Sequence, residues 1–318
     1  MKIINITPEH LPNHGDCLSS IIYKIFKYNN KSNYEIIFSD QGEIGYVQAC
    51  DINTAFDTNE LLLLPKKNYF SKLETYLNVV FRSTNNIDSI KQTIDQGQPI
   101  ICYSSAYIMP WRRKYGASTN ERHACLIIGY DDNKQYICID PIFESGLLYL
   151  PYSNIDYKST KNILGYFDFS QYKDIKNINM FGLVRFFESK SVEGEYSFNS
   201  FANLAHDIVQ KNLTGKLCLD NYERYLLSNY SWFFLIARAT SIRLFFEFLY
   251  NISRDKRLIK IEKLADKEHS ILKIACNLVL KYSRTGNDEL ILSVIEKLNE
   301  CADIEKEMNN ILQCCCQL

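Results

Sequence analysis

Two apolar runs flanking a short polar stretch form the clearest pattern in the chain, between residues 122 and 141. The first run is 124–128, the polar stretch is 129–134, and the second run is 136–139. Apolar runs joined by a short segment that contains Gly and Asp are typical of a β-hairpin. The sequence therefore predicts an antiparallel pair of strands here.

The predicted hairpin makes one histidine and one carboxylate neighbours. His123 directly precedes the first apolar run, and Asp140 follows the second run, before Pro141, which cannot continue a strand ladder. In an antiparallel pair the start of one strand faces the end of the other. A carboxylate beside an imidazole fixes its tautomer and stabilises the imidazolium. We therefore expect His123 and Asp140 to act as a base and its orienting group.

A helical period near the N-terminus predicts the nucleophile for this pair. Apolar residues recur at helical spacing between Leu18 and Phe26, and Asp16 is a suitable N-cap after the loop 12–15. Cys17 therefore falls in the first turn of a helix, where the macrodipole and the free N–H groups favour a thiolate. A buried helix cysteine without a catalytic role is the alternative, and this stretch alone leaves both open.

The period of the apolar positions changes along the chain and predicts two domains. Strand-like runs alternate with helical ones up to about residue 192, whereas the later part is helical and almost free of Gly and Pro. The first part is predicted to hold a helix over 71–95 and strands over 100–103, 146–151 and 180–187. The second is predicted to hold helices over 201–212, 220–250, 257–282 and 286–312. We therefore predict an α+β domain over residues 1–192 and an all-helical domain over residues 193–318.

Composition places the chain among ordinary globular proteins. It has 318 residues, 46% of them hydrophobic, and a net charge of −1, so the overall charge gives no indication of a nucleic-acid partner. Neither a signal peptide nor an apolar run of membrane length is recognisable. We therefore expect a soluble, cytoplasmic protein with no membrane association.

The eleven cysteines do not form a disulfide framework, because their number is odd and the chain is far larger than a disulfide scaffold. Cys102, Cys125 and Cys138 lie in apolar strands and are expected to be core residues. The tail 314–316 is Cys-Cys-Cys, but no His or second Cys pair stands nearby at ligand spacing, so we predict no metal site.

Cys17, His123 and Asp140 together make a nucleophile, a base and an orienting group in papain-type order. Such chemistry also needs donors for an oxyanion. The backbone N–H of Cys17 is one candidate. Papain-like enzymes often add a glutamine six residues before the cysteine, where this chain has Leu11. Asn13 is the substitute candidate, and His14 is expected to shape the entrance.

Two segments resemble a known family. GQPIICYSSAYIMPW (97–111) and HACLIIGYDDNKQYICIDP (123–141) are similar to the N-terminal domain of the butirosin-biosynthesis protein H family. The resemblance implies a papain-like fold, similar to the bacteriocin-processing cysteine peptidases and often followed by a helical domain. Members often carry His directly before the cysteine, whereas this chain has Asp16 there.

The resemblance implies acyl transfer in bacterial natural-product biosynthesis. The donor would be a thioester on an acyl or peptidyl carrier protein, and the acceptor a small amine. No cofactor is expected on this chain, since the phosphopantetheine belongs to the carrier. A cysteine peptidase or amidase with the same triad is the alternative, and an inactive binding protein is a third.

A basic segment between the nucleophile and the hairpin is the candidate docking site for that carrier. The loop 104–121 is rich in polar and aromatic residues and contains Trp111, Arg112, Arg113 and Lys114. Carrier proteins are usually acidic, and opposite charge accelerates association. A solvated surface loop is the alternative.

Overall fold

The computed structural model describes residues 1–6, 16–39, 69–114, 122–141, 146–159, 162–176, 201–202, 205–206 and 229–316. The chain divides into two compact units. The first consists of Met1–Ile37 and Asn68–Ile175, and the second includes Lys176–Leu318, which contains the C-terminal helices. The predicted boundary at residue 192 and the predicted strand over 180–187 lie outside the described residues.

The first unit is built on a sheet whose described strands all pair antiparallel. The order across the sheet is β2-β7-β3-β4-β5-β6, and β1 pairs with one end of β4. Its strands are β1 Lys2–Ile3, β2 Val80–Ser83, β3 Ile100–Ser105, β4 Arg122–Tyr130, β5 Gln135–Ile139, β6 Leu148–Pro151 and β7 Ile163–Asp168.

The predicted hairpin is confirmed as β4 and β5, which pair with Leu126 opposite Ile139. Residues 123–129 of β4 are all buried, as expected for a central strand covered on both faces. The turn is closed by Asp131, whose carboxylate accepts hydrogen bonds from the backbone N–H groups of Asn133 and Gln135. The hairpin therefore fixes its own register by local sequence.

Four described helices accompany the sheet: α1 Cys17–Tyr28, α2 Tyr69–Leu77, α3 Ile87–Asp95 and α4 Pro110–Lys114. The apolar face of α1, which includes Ile21, Ile25 and Phe26, is buried, and α1 packs against β4. This packing brings the N-terminal end of α1 to the sheet.

The prediction of one helix over 71–95 is wrong at its centre. Asn78, at a φ of 52°, follows the end of α2, β2 comes next, and Asn86 then caps α3. Phe81 of β2 stacks on Phe70 with ring centroids 4.5 Å apart and contacts Phe167 of β7 edge-on. Pairing with a strand far along the chain, which the sequence pattern did not reveal, has overridden the local helical period.

Three long helices form the described core of the second unit: α5 Asn229–Ser253, α6 Arg257–Thr285 and α7 Asp288–Cys316. Both α5 and α7 pack on α6, and Gly286 ends α6 in the left-handed conformation. The predictions over 220–250, 257–282 and 286–312 are confirmed with shifted ends. An α+β domain followed by a helical domain is therefore the observed fold class. Among the described helices, none has a stretch both long and apolar enough to cross a bilayer.

Candidate active site

Cys17 is the first residue of α1, as the capping pattern predicts. Asp16 Oδ1 accepts hydrogen bonds from the backbone N–H groups of Leu18 at 2.9 Å and Ser19 at 2.8 Å. The hydroxyl of Tyr69 donates to the other carboxylate oxygen of Asp16 at 2.9 Å. The helix start is thus fixed both by its own cap and by α2, which immobilises the residue that carries the thiol.

His123 and Asp140 lie side by side at the open end of the hairpin. Nε2 of His123 is 2.7 Å from Oδ2 of Asp140, and both side chains are buried. An ionised carboxylate can only accept, so Nε2 carries the hydrogen of this bond. Nδ1 is therefore the ring nitrogen left for chemistry.

The Cys17 side chain interacts with the His123 ring closely enough to change the pKa of the ring. Burial of the ring lowers the pKa of His123, but hydrogen bonds with Asp140 and Cys17 and the charges of both raise it from 6.5 to about 9. At neutral pH the ring is therefore an imidazolium. A positive ring beside a thiol favours the nucleophilic thiolate. The structure thus brings the three residues of the predicted triad together.

One oxyanion donor can be placed. The side chain of Asp16 engages the N–H groups of Leu18 and Ser19, and the N–H of Cys17 has no hydrogen-bond partner among the described residues. This group stays the candidate donor to an oxyanion that forms beside the sulfur. Asn13 and His14 lie outside the described residues, so their predicted roles stay predictions.

The placement of Trp111 corrects the predicted basic loop. Residues 110–114 form α4, and the Trp111 side chain, only 7% exposed, points its indole N–H at Oδ2 of Asp140, 2.8 Å away. Trp111 is therefore not part of a surface rim. Arg113 and Lys114 are exposed, and the Arg113 guanidinium lies 5.6 Å from the centre of the Tyr107 ring. The sequence pattern around Pro110 and Trp111 does not indicate this contact with Asp140.

Three other cysteines are buried in strands of the core, as the sequence predicts. Cys102, Cys125 and Cys138 lie on adjacent strands β3, β4 and β5 and are fully buried. A hydrogen bond with Cys125 and burial raise the pKa of Cys102, and burial raises the pKa of Cys138. These thiols stay protonated and belong to the core.

Within the described ranges, no three His, Cys, Asp or Glu side chains are grouped so that they could hold a metal ion.

A cysteine at a helix start, facing a histidine and a carboxylate on an antiparallel sheet, is the arrangement typical of the papain-like cysteine-enzyme fold. A family model described as "Peptidase_C39 like family" matches residues 41–164. The match includes His123 and Asp140 and begins after Cys17. It supports a papain-like, cysteine-peptidase-like N-terminal domain. It does not confirm membership of the butirosin-biosynthesis protein H family. Comparison with curated proteins gives no match.

The pH dependence of Cys17 reactivity follows from the raised pKa of His123. Iodoacetate is anionic and is attracted by an imidazolium, so its rate constant with Cys17 should fall as pH rises through about 9, where His123 loses its proton. Asp140→Asn should move this fall to lower pH, because the carboxylate raises the pKa of His123. Peptide mass spectrometry after timed alkylation measures both.

The control for this prediction is Cys314, which is exposed. Cys17 should be alkylated faster than Cys314 at neutral pH despite its lower exposure. Equal rates, or a Cys17 profile with no fall near pH 9, would contradict an imidazolium beside the Cys17 sulfur.

Proposed function

We propose that this protein is a cysteine acyltransferase that takes an acyl or aminoacyl group from a carrier-protein thioester and passes it to an amine. The observation that supports it is the placement of Cys17 beside a buried, hydrogen-bonded pair of His123 and Asp140. This set suits attack on an activated carbonyl. The likeness of the segments 97–111 and 123–141 to a family of acyltransferases favours a thioester as donor.

In the acylation step the sulfur of Cys17 attacks the thioester carbonyl carbon. A new C–S bond forms to Cys17, and the oxyanion accepts a hydrogen bond from the backbone N–H of Cys17. The C–S bond to the pantetheine then breaks, and the imidazolium of His123 gives its proton to the departing sulfur. The products are a free carrier thiol and an acyl-Cys17 thioester.

In the transfer step an amine replaces Cys17. Neutral His123 takes a proton from the amine nitrogen as it attacks the acyl carbon, a C–N bond forms and the C–S bond to Cys17 breaks. The products are an amide and the original ion pair. Water attacking the same intermediate would give hydrolysis, so the outcome depends on which nucleophile reaches the acyl group.

The carrier is proposed to dock on the three basic side chains of α4, Arg112, Arg113 and Lys114. Arg113 and Lys114 are exposed, and Arg112 is partly exposed. They follow Trp111, which contacts Asp140, so this charge lies on the same five-residue helix as a residue of the site. Positive charge beside the site would steer an acidic carrier and its pantetheine arm.

The proposal is tested with a small N-acetylcysteamine thioester and with the same acyl group on a carrier protein. We expect both to add the acyl mass to Cys17, and an added amine to remove it as an amide. If neither thioester acylates Cys17, the proposed function is wrong.

Docking is tested with Arg112→Glu/Arg113→Glu. We expect this variant to react more slowly with the acylated carrier and almost normally with the small thioester, and added salt to slow the wild type toward the variant. Lys2→Glu/Lys134→Glu is the control, since both residues are exposed at the opposite end of the hairpin and the charge change is the same. Equal losses on both donors would mean that the arginines support the site and are not a docking surface.

A cysteine peptidase or amidase is the second candidate, favoured by the peptidase-like family that residues 41–164 match. It would use the same three residues on an amide, with water as the second nucleophile. Cleavage of a peptide without acylation by any thioester would replace the first proposal with this one.

A further inference from the structure

Trp111 donates to the same oxygen of Asp140 that holds His123. The indole N–H lies 2.8 Å from Oδ2 of Asp140, and Nε2 of His123 lies 2.7 Å from that atom. Asp140 is 1% exposed, so bulk water does not weaken either bond. Two donors therefore share one buried acceptor atom.

The segment that carries Trp111 is itself held in place. The Asn154 side chain donates to the Ile108 carbonyl at 2.8 Å, and the Arg113 N–H donates to the Met109 carbonyl at 2.9 Å. The indole N–H thus meets Asp140 from a fixed backbone. An indole can only donate, so Trp111 takes no part in proton transfer.

We propose that Trp111 is a positioning residue that orients the Asp140 carboxylate and limits its hold on the His123 proton. This inference rests on the proposed roles of His123 and Asp140. Hydrogen bonds to a shared charged acceptor compete. The indole N–H of Trp111 on Oδ2 therefore weakens the attraction between the Asp140 carboxylate and the imidazolium. The proton is then released more readily to the departing group.

Trp111→Phe tests this, since it keeps an aromatic ring and removes the N–H. The readout is the pH at which alkylation of Cys17 by iodoacetate falls, compared with neutral iodoacetamide, and it requires no substrate. In the wild type this fall is expected near pH 9. In Trp111→Phe it should move upward by about one pH unit, corresponding to about 1.4 kcal/mol of proton affinity.

The sign of the shift separates this role from simple packing. Asp140→Asn should lower the inflection. If Trp111 merely supported the fold, Trp111→Phe would also lower the inflection or leave it unchanged, because a looser His123–Asp140 contact weakens the effect of the carboxylate. Tyr28→Phe, which removes another aromatic donor whose partner is the Gly97 carbonyl, should leave the inflection at its wild-type value.

A second measurement covers the case in which Trp111→Phe does not fold. Tryptophan fluorinated on its benzene ring is a stronger N–H donor, so its incorporation into wild-type protein should lower the inflection. A downward or absent shift in Trp111→Phe, or an upward shift with fluorotryptophan, would overturn the proposal. Failure of thioester acylation would count against the proposed function alone, because the alkylation profile stays readable.

Discussion

Cys17→Ala is expected to eliminate the acyl-enzyme and to lower turnover by about ten-thousand-fold or more, because the variant has no sulfur in the position that faces the base. His123→Ala should lose a similar amount, since the thiol then lacks the imidazolium beside it. Asp140→Asn should cost less than either, because Asp140 orients the ring and does not react. Single-turnover kinetics with the small thioester measure all three.

The combination of variants sharpens this prediction. Cys17→Ala/His123→Ala should be no slower than either single variant, since residues that act as one unit are not additive. His123→Asn removes the base while keeping a polar side chain beside the buried Asp140, so it separates lost chemistry from lost stability. Cys314→Ser, at an exposed position, is the matched cysteine control and should retain full activity.

The outcome that would contradict the assignment is specific. Residues 41–164 match the cysteine-peptidase-like family, and this range contains Cys50 and lacks Cys17. Activity that survives Cys17→Ala but is lost in Cys50→Ala would identify a different nucleophile. The position of Cys17 beside the His123 ring, whose pKa it raises, favours the opposite result.

The parts of the site that could be predicted from the sequence are those fixed by local pattern. Asp16 caps its own helix, and the two runs around the turn at Asp131 pair with each other, so spacing along the chain predicts the positions of Cys17, His123 and Asp140. The catalytic roles of these residues remain predictions.

Contacts between distant parts of the chain left no such signal. Trp111 is 29 positions from Asp140, and Phe81 of β2 contacts Phe167 of β7, 86 positions away. A residue that donates one hydrogen bond to a remote carboxylate has the same local pattern as a surface residue. This is why the sequence predicted Trp111 as a rim residue and Val80–Ser83 as helix.

The helical unit carries a buried charged cluster whose disruption should cost the most stability. Arg238 of α5 donates from one guanidinium nitrogen to Glu268 of α6 and to Glu305 of α7, and all three side chains are fully buried. Burial and the neighbouring Glu305 charge raise the pKa of Glu268 well above its usual range. Burial also raises the pKa of Glu305, although the Arg238 charge opposes this shift. One arginine therefore faces two buried carboxyl groups, of which Glu268 is the more strongly shifted toward the protonated form.

Arg238→Met should destabilise the protein by about 3–5 kcal/mol, because it leaves Glu305 buried without its cation. Urea unfolding followed by the helical signal in circular dichroism measures the loss. Arg243→Met is the control: Arg243 pairs with Glu247 on the same helix and with Asp266 of α6, but all three side chains are partly exposed. Its loss should therefore cost less than about 1 kcal/mol. Similar losses in both variants would mean that the cluster contributes no more than a surface pair.

Neutralising the carboxylates tests the cause of that loss. Arg238→Met/Glu268→Gln/Glu305→Gln should recover much of it, since no ionised group then remains buried in the cluster. Glu268→Gln alone imitates the protonated side chain. The raised pKa of Glu268 adds stability below the ordinary glutamate range, and this stability is lost as pH rises through the folded-state value. Glu268→Gln should therefore lose less stability than the wild type as pH rises. If the stability of the wild type does not fall faster with rising pH than that of Glu268→Gln, the pKa of Glu268 is not raised in the folded protein, because only a group that titrates can produce the difference.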